Sequence, residues 1–210
     1  MGEVKLSKSG WDILYYSERV GHAAWSNQPA YGEVDALRFF FLAVQPDIVV
    51  ELGTRYAGTT LAIHDIVPEA RIYSVDVKNS PEDEDVICST LVAEDGTEYG
   101  EYIPLRSWFP PHVRFLRLDF LAEQDILKGM IEREDDDRLV LFVDGYNKLK
   151  ETEAYANWLR VGDILAVNNW LDNCGGAKAI EAILPPTYER YAWAWSEENL
   201  VYTRIWRRVA

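Results

Sequence analysis

Cysteine, methionine and histidine are scarce in this chain of 210 residues, with two, two and three copies. Two cysteines, Cys88 and Cys174, build no disulfide framework, and neither has the spacing of a metal site. Positive charge is also short: 21 Lys and Arg against 35 Asp and Glu give a net charge of −14. Nucleic acid and anionic membranes would be repelled at long range, so neither is expected as a partner. No apolar run approaches the roughly 18 residues of a membrane span. Met1 is not followed by the charged segment and apolar core of a secretion signal, so a soluble, cytoplasmic protein is expected. Aromatics, by contrast, are plentiful, with eight Trp and twelve Tyr. Such residues fill cores, pockets for small-molecule ligands and the interfaces of a homo-oligomer. Much of the acid is clustered at Glu82–Asp85 and Glu134–Asp137, which read as solvated loops.

The most informative stretch runs from Asp47 to Thr60. Ile48, Val49 and Val50 form a β-branched run suited to a strand buried on both faces of a parallel sheet. Glu51, Leu52 and Gly53 end that strand with an acid and a residue able to adopt positive φ. Gly58 then opens an apolar segment with helical character. A small-residue turn between strand and helix lets a ligand approach the backbone near the helix N-terminal N–H groups. Glu51, Gly53, Thr54, Gly58 and Thr59 are therefore the candidate contacts of this turn. The spacing is not the G-x-G-x-x-G of dinucleotide enzymes, which disfavours an NAD or nucleotide-sugar reading. The next strand ends on Asp76, at about the distance where nucleotide-binding α/β folds place an acid against ribose hydroxyls.

Helical spacing of Val34, Leu37, Phe41 and Val44 predicts a helix begun at 32–35 and stopped by Pro46. Four further strands are predicted at Ile72–Asp76, Val113–Leu118, Leu139–Asp144 and Asp163–Asn168, with helices at Leu121–Glu132 and Lys148–Leu159. Strands alternating with helices imply a parallel sheet covered on both faces. The end breaks this rhythm: Tyr188–Trp195, a turn at 197–199 and Leu200–Arg207 read as an antiparallel hairpin. The fold expected is α/β, a doubly wound, Rossmann-like, mostly parallel seven-stranded sheet with a C-terminal antiparallel hairpin. Residues 1–31 form an N-terminal extension and 32–210 the domain. Residues 78–112 should supply one helix between two strands, yet run long and carry glycines and prolines, as a lid insertion would.

This order of elements is the pattern of class I S-adenosylmethionine-dependent methyltransferases. The stretch Glu51–Thr59 resembles the motif of the cephalosporin hydroxylase-like and related small-molecule O-methyltransferases, in which E-x-G precedes three variable residues and Gly-Gly-Ser. Ala57 and Gly58 stand at the paired glycines and Thr59 at the serine. The likeness covers roughly residues 33–170. It implies S-adenosyl-L-methionine as cofactor, with Asp119 near the adenine and Asp144 near the methionine end.

In that family the fourth strand ends D-G-D-H and the fifth D-D-W, whereas here the segments are Val143–Asn147 and Val167–Trp170. Asp144, Gly145 and Trp170 keep the frame, but Tyr146, Asn147, Asn168 and Asn169 replace acids or His. Catechol-type relatives hold a divalent metal at this place. A single carboxylate gives little compensation for dehydrating Mg²⁺, so no metal is expected. The catalytic candidates are Lys148, Tyr146 and Asn169, with His22, His64 or His112 as bases if folding brings one close; His64, among apolar residues, reads as structural. The function implied is methyl transfer to a small-molecule acceptor, most plausibly a hydroxyl. The alternative is a methyltransferase-fold protein that binds cofactor or a partner without catalysis.

Overall fold

Nine strands and four helices can be bounded in the computed structural model, which describes residues 38, 40–54, 58–77, 88–92, 98–102, 111–168, 177–191 and 203–210. The run Ile48–Leu52 is strand β1, buried along its whole length. β2 (Arg71–Asp76) and β5 (Val113–Arg117) lie on one side of it, and β6 (Leu139–Val143) and β7 (Ile164–Val167) on the other. All five are parallel. β8 (Tyr188–Arg190) and β9 (Arg204–Arg208) complete a seven-stranded sheet of order β5-β2-β1-β6-β7-β9-β8. β9 runs antiparallel to both β7 and β8, so the expected C-terminal hairpin is present.

Helices α1 (Gly58–Ile66), α2 (Gln124–Met130), α3 (Lys148–Ala156) and α4 (Ala177–Ile183) follow β1, β5, β6 and β7. Residues 40–44 are helical as well, and Gln45, with φ of 48°, ends that turn before Pro46. Successive strand residues point to opposite faces, and two cores result. Val49, Ile72, Val140 and Ile164 pack with Phe40, Phe41, Val44 and Ile63 on one face. Ile48, Val50, Tyr73, Leu141 and Leu165 pack with Leu127, Tyr155 and Ile180 on the other. Each such side chain contributes about 1.5–3 kcal/mol on burial.

Of the 78–112 segment, the described residues hold β3 (Cys88–Val92) and β4 (Glu98–Tyr102), an antiparallel pair that joins no strand of the main sheet; the remainder of the expected helix-bearing stretch, up to residue 110, lies outside the described residues. Two expectations need correction. The helix expected from Leu121 begins only at Gln124, because Asp119 Oδ1 accepts from the backbone N–H of Leu121 and Ala122 and holds a turn there. α3 stops at Ala156 rather than Leu159, where the Asn157 and Trp158 N–H groups both turn back to Tyr155 O. The N-terminal extension, 192–202, His22, Asn169 and Trp170 lie outside the described residues.

Candidate functional site

The chain winds from β1 toward β2 and β5, then returns to β6 and β7 on the far side, so the direction reverses between β1 and β6. Crevices in doubly wound sheets open at the carboxyl ends of the strands at such a reversal. Gly53 occupies that point. Its φ is +97°, and a Cβ there would lie 2.7–2.8 Å from backbone atoms of Asp144 and Gly145. Only glycine lets the two strand ends approach so closely. Gly53 N and Thr54 N both donate to Val75 O, at 2.8 and 3.3 Å, tying the turn to β2 as well.

Glu51 lies beneath this turn. It shares the face of Val49, under α1, and its register partner on β2 is Ser74. The side chain is fully buried. Its Oε2 accepts hydrogen bonds from Ser74 Oγ at 2.6 Å and from Thr60 Oγ1. Ser74 Oγ also lies 2.6 Å from Thr54 Oγ1 and 2.8 Å from Thr60 Oγ1. Four polar side chains thus join the end of β1, the first turn of α1 and the middle of β2. Burial pushes the Glu51 carboxyl up to about 8, against the opposing pull of the Ser74 and Thr60 hydroxyls. Near neutrality it is an uncharged acid.

A second cluster closes the end of β6. Lys148, the first residue of α3, is only 2% exposed, and its ammonium donates to Asp144 Oδ1 at 3.2 Å and to Gly145 O. Asn168 Nδ2 donates to the same Asp144 oxygen at 3.1 Å, and Asn168 Oδ1 accepts from Thr203 Oγ1 at 3.0 Å. Asn147 caps α3 by accepting from Lys150 N, while Glu151 Oε1 accepts from Asn147 N at 2.6 Å. The Glu151 carboxyl lies so close to Gly145 that a Cβ there would meet it at 2.5–2.6 Å. Burial raises the Glu151 pKa, partly offset by the Asn147 N–H and the Lys148 charge.

Asp76 ends β2 at the same edge, beside the Gly53 turn, and is half-buried. Asp119 follows β5 there, exposed; besides its turn bonds, its backbone N–H donates to Glu123 Oε2 at 2.9 Å. Gly58 and Thr59 open α1. Tyr146 projects from the end of β6 with 91% of its surface exposed. The edge therefore gathers Gly53, Thr54, Asp76, Asp119, Asp144, Tyr146 and Lys148. His64 and His112 are elsewhere: their rings face each other, Nε2 of His112 3.3 Å from Nδ1 of His64, where His112 O accepts from Ile72 N at the start of β2.

Sequence reasoning overlooked Thr60, Ser74, Glu151 and Thr203. A signal existed for Ser74, a polar residue inside the apolar run of β2, and for Glu151, four residues after Asn147. Thr203 is brought in only by the pairing of β9 with β7.

Asp144 Oδ1 is shared by an ammonium and an amide N–H, and among the described residues no group of three His, Cys, Asp or Glu comes together. A nucleoside-bearing cofactor fits: a glycine turn, an acid on the neighbouring strand and a further acid beyond β5 line one edge.

No family model matches the chain, and no curated protein matches it in sequence. Solved structures do match in shape. The S-adenosylhomocysteine-bound methyltransferase PaMTH1 of Podospora anserina is 10% identical, with a TM-score of 0.57 over 96% of this chain and 88% of its own. An O-methyltransferase of Bacillus cereus, also with S-adenosylhomocysteine, is 14% identical, with a TM-score of 0.56 over 99% and 93%. The structure described as cmcI-D160 with Mg and S-adenosylmethionine is 13% identical, with a TM-score of 0.56 over 88% and 73%. The chain has the fold of class I S-adenosylmethionine-dependent methyltransferases.

Proposed function

We propose that the chain is an S-adenosylmethionine-dependent methyltransferase acting on a hydroxyl group of a small molecule, without a divalent metal. The observation that carries this reading is Gly53, left-handed at the β1–β6 reversal and pressed against Asp144, with Asp76 on the adjoining strand end. In this reading Gly53, Thr54, Gly58 and Thr59 offer backbone to the cofactor, and Asp76 accepts from its ribose hydroxyls. Asp119 lies toward the adenine and Asp144 toward the methionine end. Glu51 acts from below, holding the turn through Ser74 and Thr60. Bound there, S-adenosylmethionine supplies a methyl group on a positively charged sulfur.

The protein's own part is to position an acceptor oxygen in line and to exclude water. In this reading Tyr146, exposed at the end of β6, is the side chain that meets the acceptor. Asn169, the next residue after Asn168 in sequence, is the second amide this reading offers to the acceptor hydroxyl. Lys148 already donates to a carboxylate and a carbonyl, so it holds Asp144 in place and is not the group that takes the acceptor's proton.

Calorimetry with S-adenosylmethionine and S-adenosylhomocysteine, in excess chelator, tests the proposal. Both should bind, and Asp76→Ala should weaken binding by about 1.5–3 kcal/mol, as for hydrogen bonds to a charged group. Absence of binding to the parent protein would overturn the reading. Unchanged affinity in the variant would remove Asp76 from the site.

A further inference from the structure

We infer that Lys148 is a built-in cation, its ammonium group holding the place beside Asp144 that a divalent ion would need. The inference deepens the proposed function, resting on it only in calling this edge the acceptor side. Asp144 is the strand-end carboxylate of β6, and its Oδ1 is 3.2 Å from Lys148 Nζ. The lysine reaches it because Lys148 follows four residues on, across the bend that joins β6 to the start of α3. With 2% of its side chain exposed, Lys148 is not a solvated surface residue that happens to pass by. A buried ammonium needs a partner, and two are present in Asp144 Oδ1 and Gly145 O.

Asn168 adds an amide N–H to the same carboxylate oxygen and is itself oriented by the Thr203 hydroxyl. The amide N–H takes up a lone pair of that oxygen, in addition to the full charge the ammonium sets beside it. Both features recruit donors, where a hard-cation site recruits oxygen acceptors. The amide at 168 and the buried Lys148 then act together: the carboxylate keeps its charge and its counter-ion comes from the chain.

Manganese(II) is the probe, followed by its paramagnetic signal, with S-adenosylhomocysteine calorimetry on the same samples. The parent should show no Mn²⁺ binding that Asp144→Asn abolishes. Lys148→Met, which removes the charge and keeps the length, should create Mn²⁺ binding at least tenfold tighter than any the parent shows, and adding Asp144→Asn should cancel the gain. Lys148→Gln, which can still donate to Gly145 O, is the milder variant should the methionine not fold. A folded variant without the gain overturns the inference, as does Mn²⁺ binding to the parent through Asp144; that parent titration decides even if neither variant folds. If S-adenosylhomocysteine fails to bind the parent while the Mn²⁺ pattern holds, the proposed function falls and the built-in cation stands.

Discussion

At Gly53 a single missing methyl group decides how the crevice is built. A Cβ would meet three backbone atoms of Asp144 and Gly145, none at the end of a flexible side chain, and its φ of +97° is strained for any other residue. Gly53→Ala should cost about 1–3 kcal/mol in conformational strain alone, and more because the end of β6 must move. Urea unfolding reads this loss, and S-adenosylhomocysteine affinity should fall with it. Glu51 makes a different kind of demand. Its folded pKa of about 8 stands above the ordinary 4.5, so the fold prefers the protonated form. Its contribution is therefore complete below pH 4.5 and is lost as the pH rises through 8. Glu51→Gln keeps the shape without the titration. The difference between parent and variant in urea midpoint should shift in favour of the variant between pH 5 and 8.5. A constant difference across that window would mean that Glu51 does not titrate there. The sequence identifies this acid at a strand end, but not that it faces inward; counting two residues on from Val49 does, since both share the face under α1.

Among the elements, what was legible were the segments whose burial leaves a continuous apolar signature. β1, β6 and β7 are such runs, and their register places Glu51 opposite Ser74 and Leu52 opposite both Val75 and Val143. Boundaries were less legible, because they depend on polar groups that compete for backbone N–H. Asp119 delays α2 in this way. In the insertion, a signal for the strand pair was there to be read: Cys88–Val92 and Glu98–Tyr102 flank Asp95-Gly96, a dipeptide that favours hairpin turns. The opposite edge of the sheet is held by a buried pair that no motif announces. Asp163 accepts from Arg133 Nη1 and Nη2 at 2.9 and 2.8 Å, and from the backbone N–H of Leu139 and Arg160 at 3.1 and 2.6 Å. The side chains of Arg133 and Asp163 are 5% and 2% exposed. Asp163→Ala leaves a buried guanidinium without its carboxylate and should cost about 3–5 kcal/mol in urea unfolding. Asp135→Ala removes a fully exposed partner of Arg160 and should leave the midpoint where it was.

For the molecule as a whole, the distribution of parts around the sheet assigns the two edges different work. The edge with Arg133 and Asp163 is bonded shut, whereas the carboxyl edge carries Asp76, Asp119, Asp144 and the exposed Tyr146. From β2 the chain leaves that second edge and must reach β5, whose start lies beside the start of β2. After β1 the same traverse is made by α1 in nine residues. Between β2 and β5 the chain spends residues 78–112 on it and folds part of them into the β3–β4 pair, which joins no strand of the main sheet. A hairpin that leaves from the edge proposed to bind the cofactor, and pairs with no strand of the main sheet, is suited to close over a ligand there. Hydrogen exchange with and without S-adenosylhomocysteine is the measurement. Amides of 88–92 and 98–102 should gain protection when the cofactor is present, while those around Arg133 and Asp163 stay unchanged. Equal protection of the hairpin in both states would leave it an ornament of the surface and move the search for a cover elsewhere.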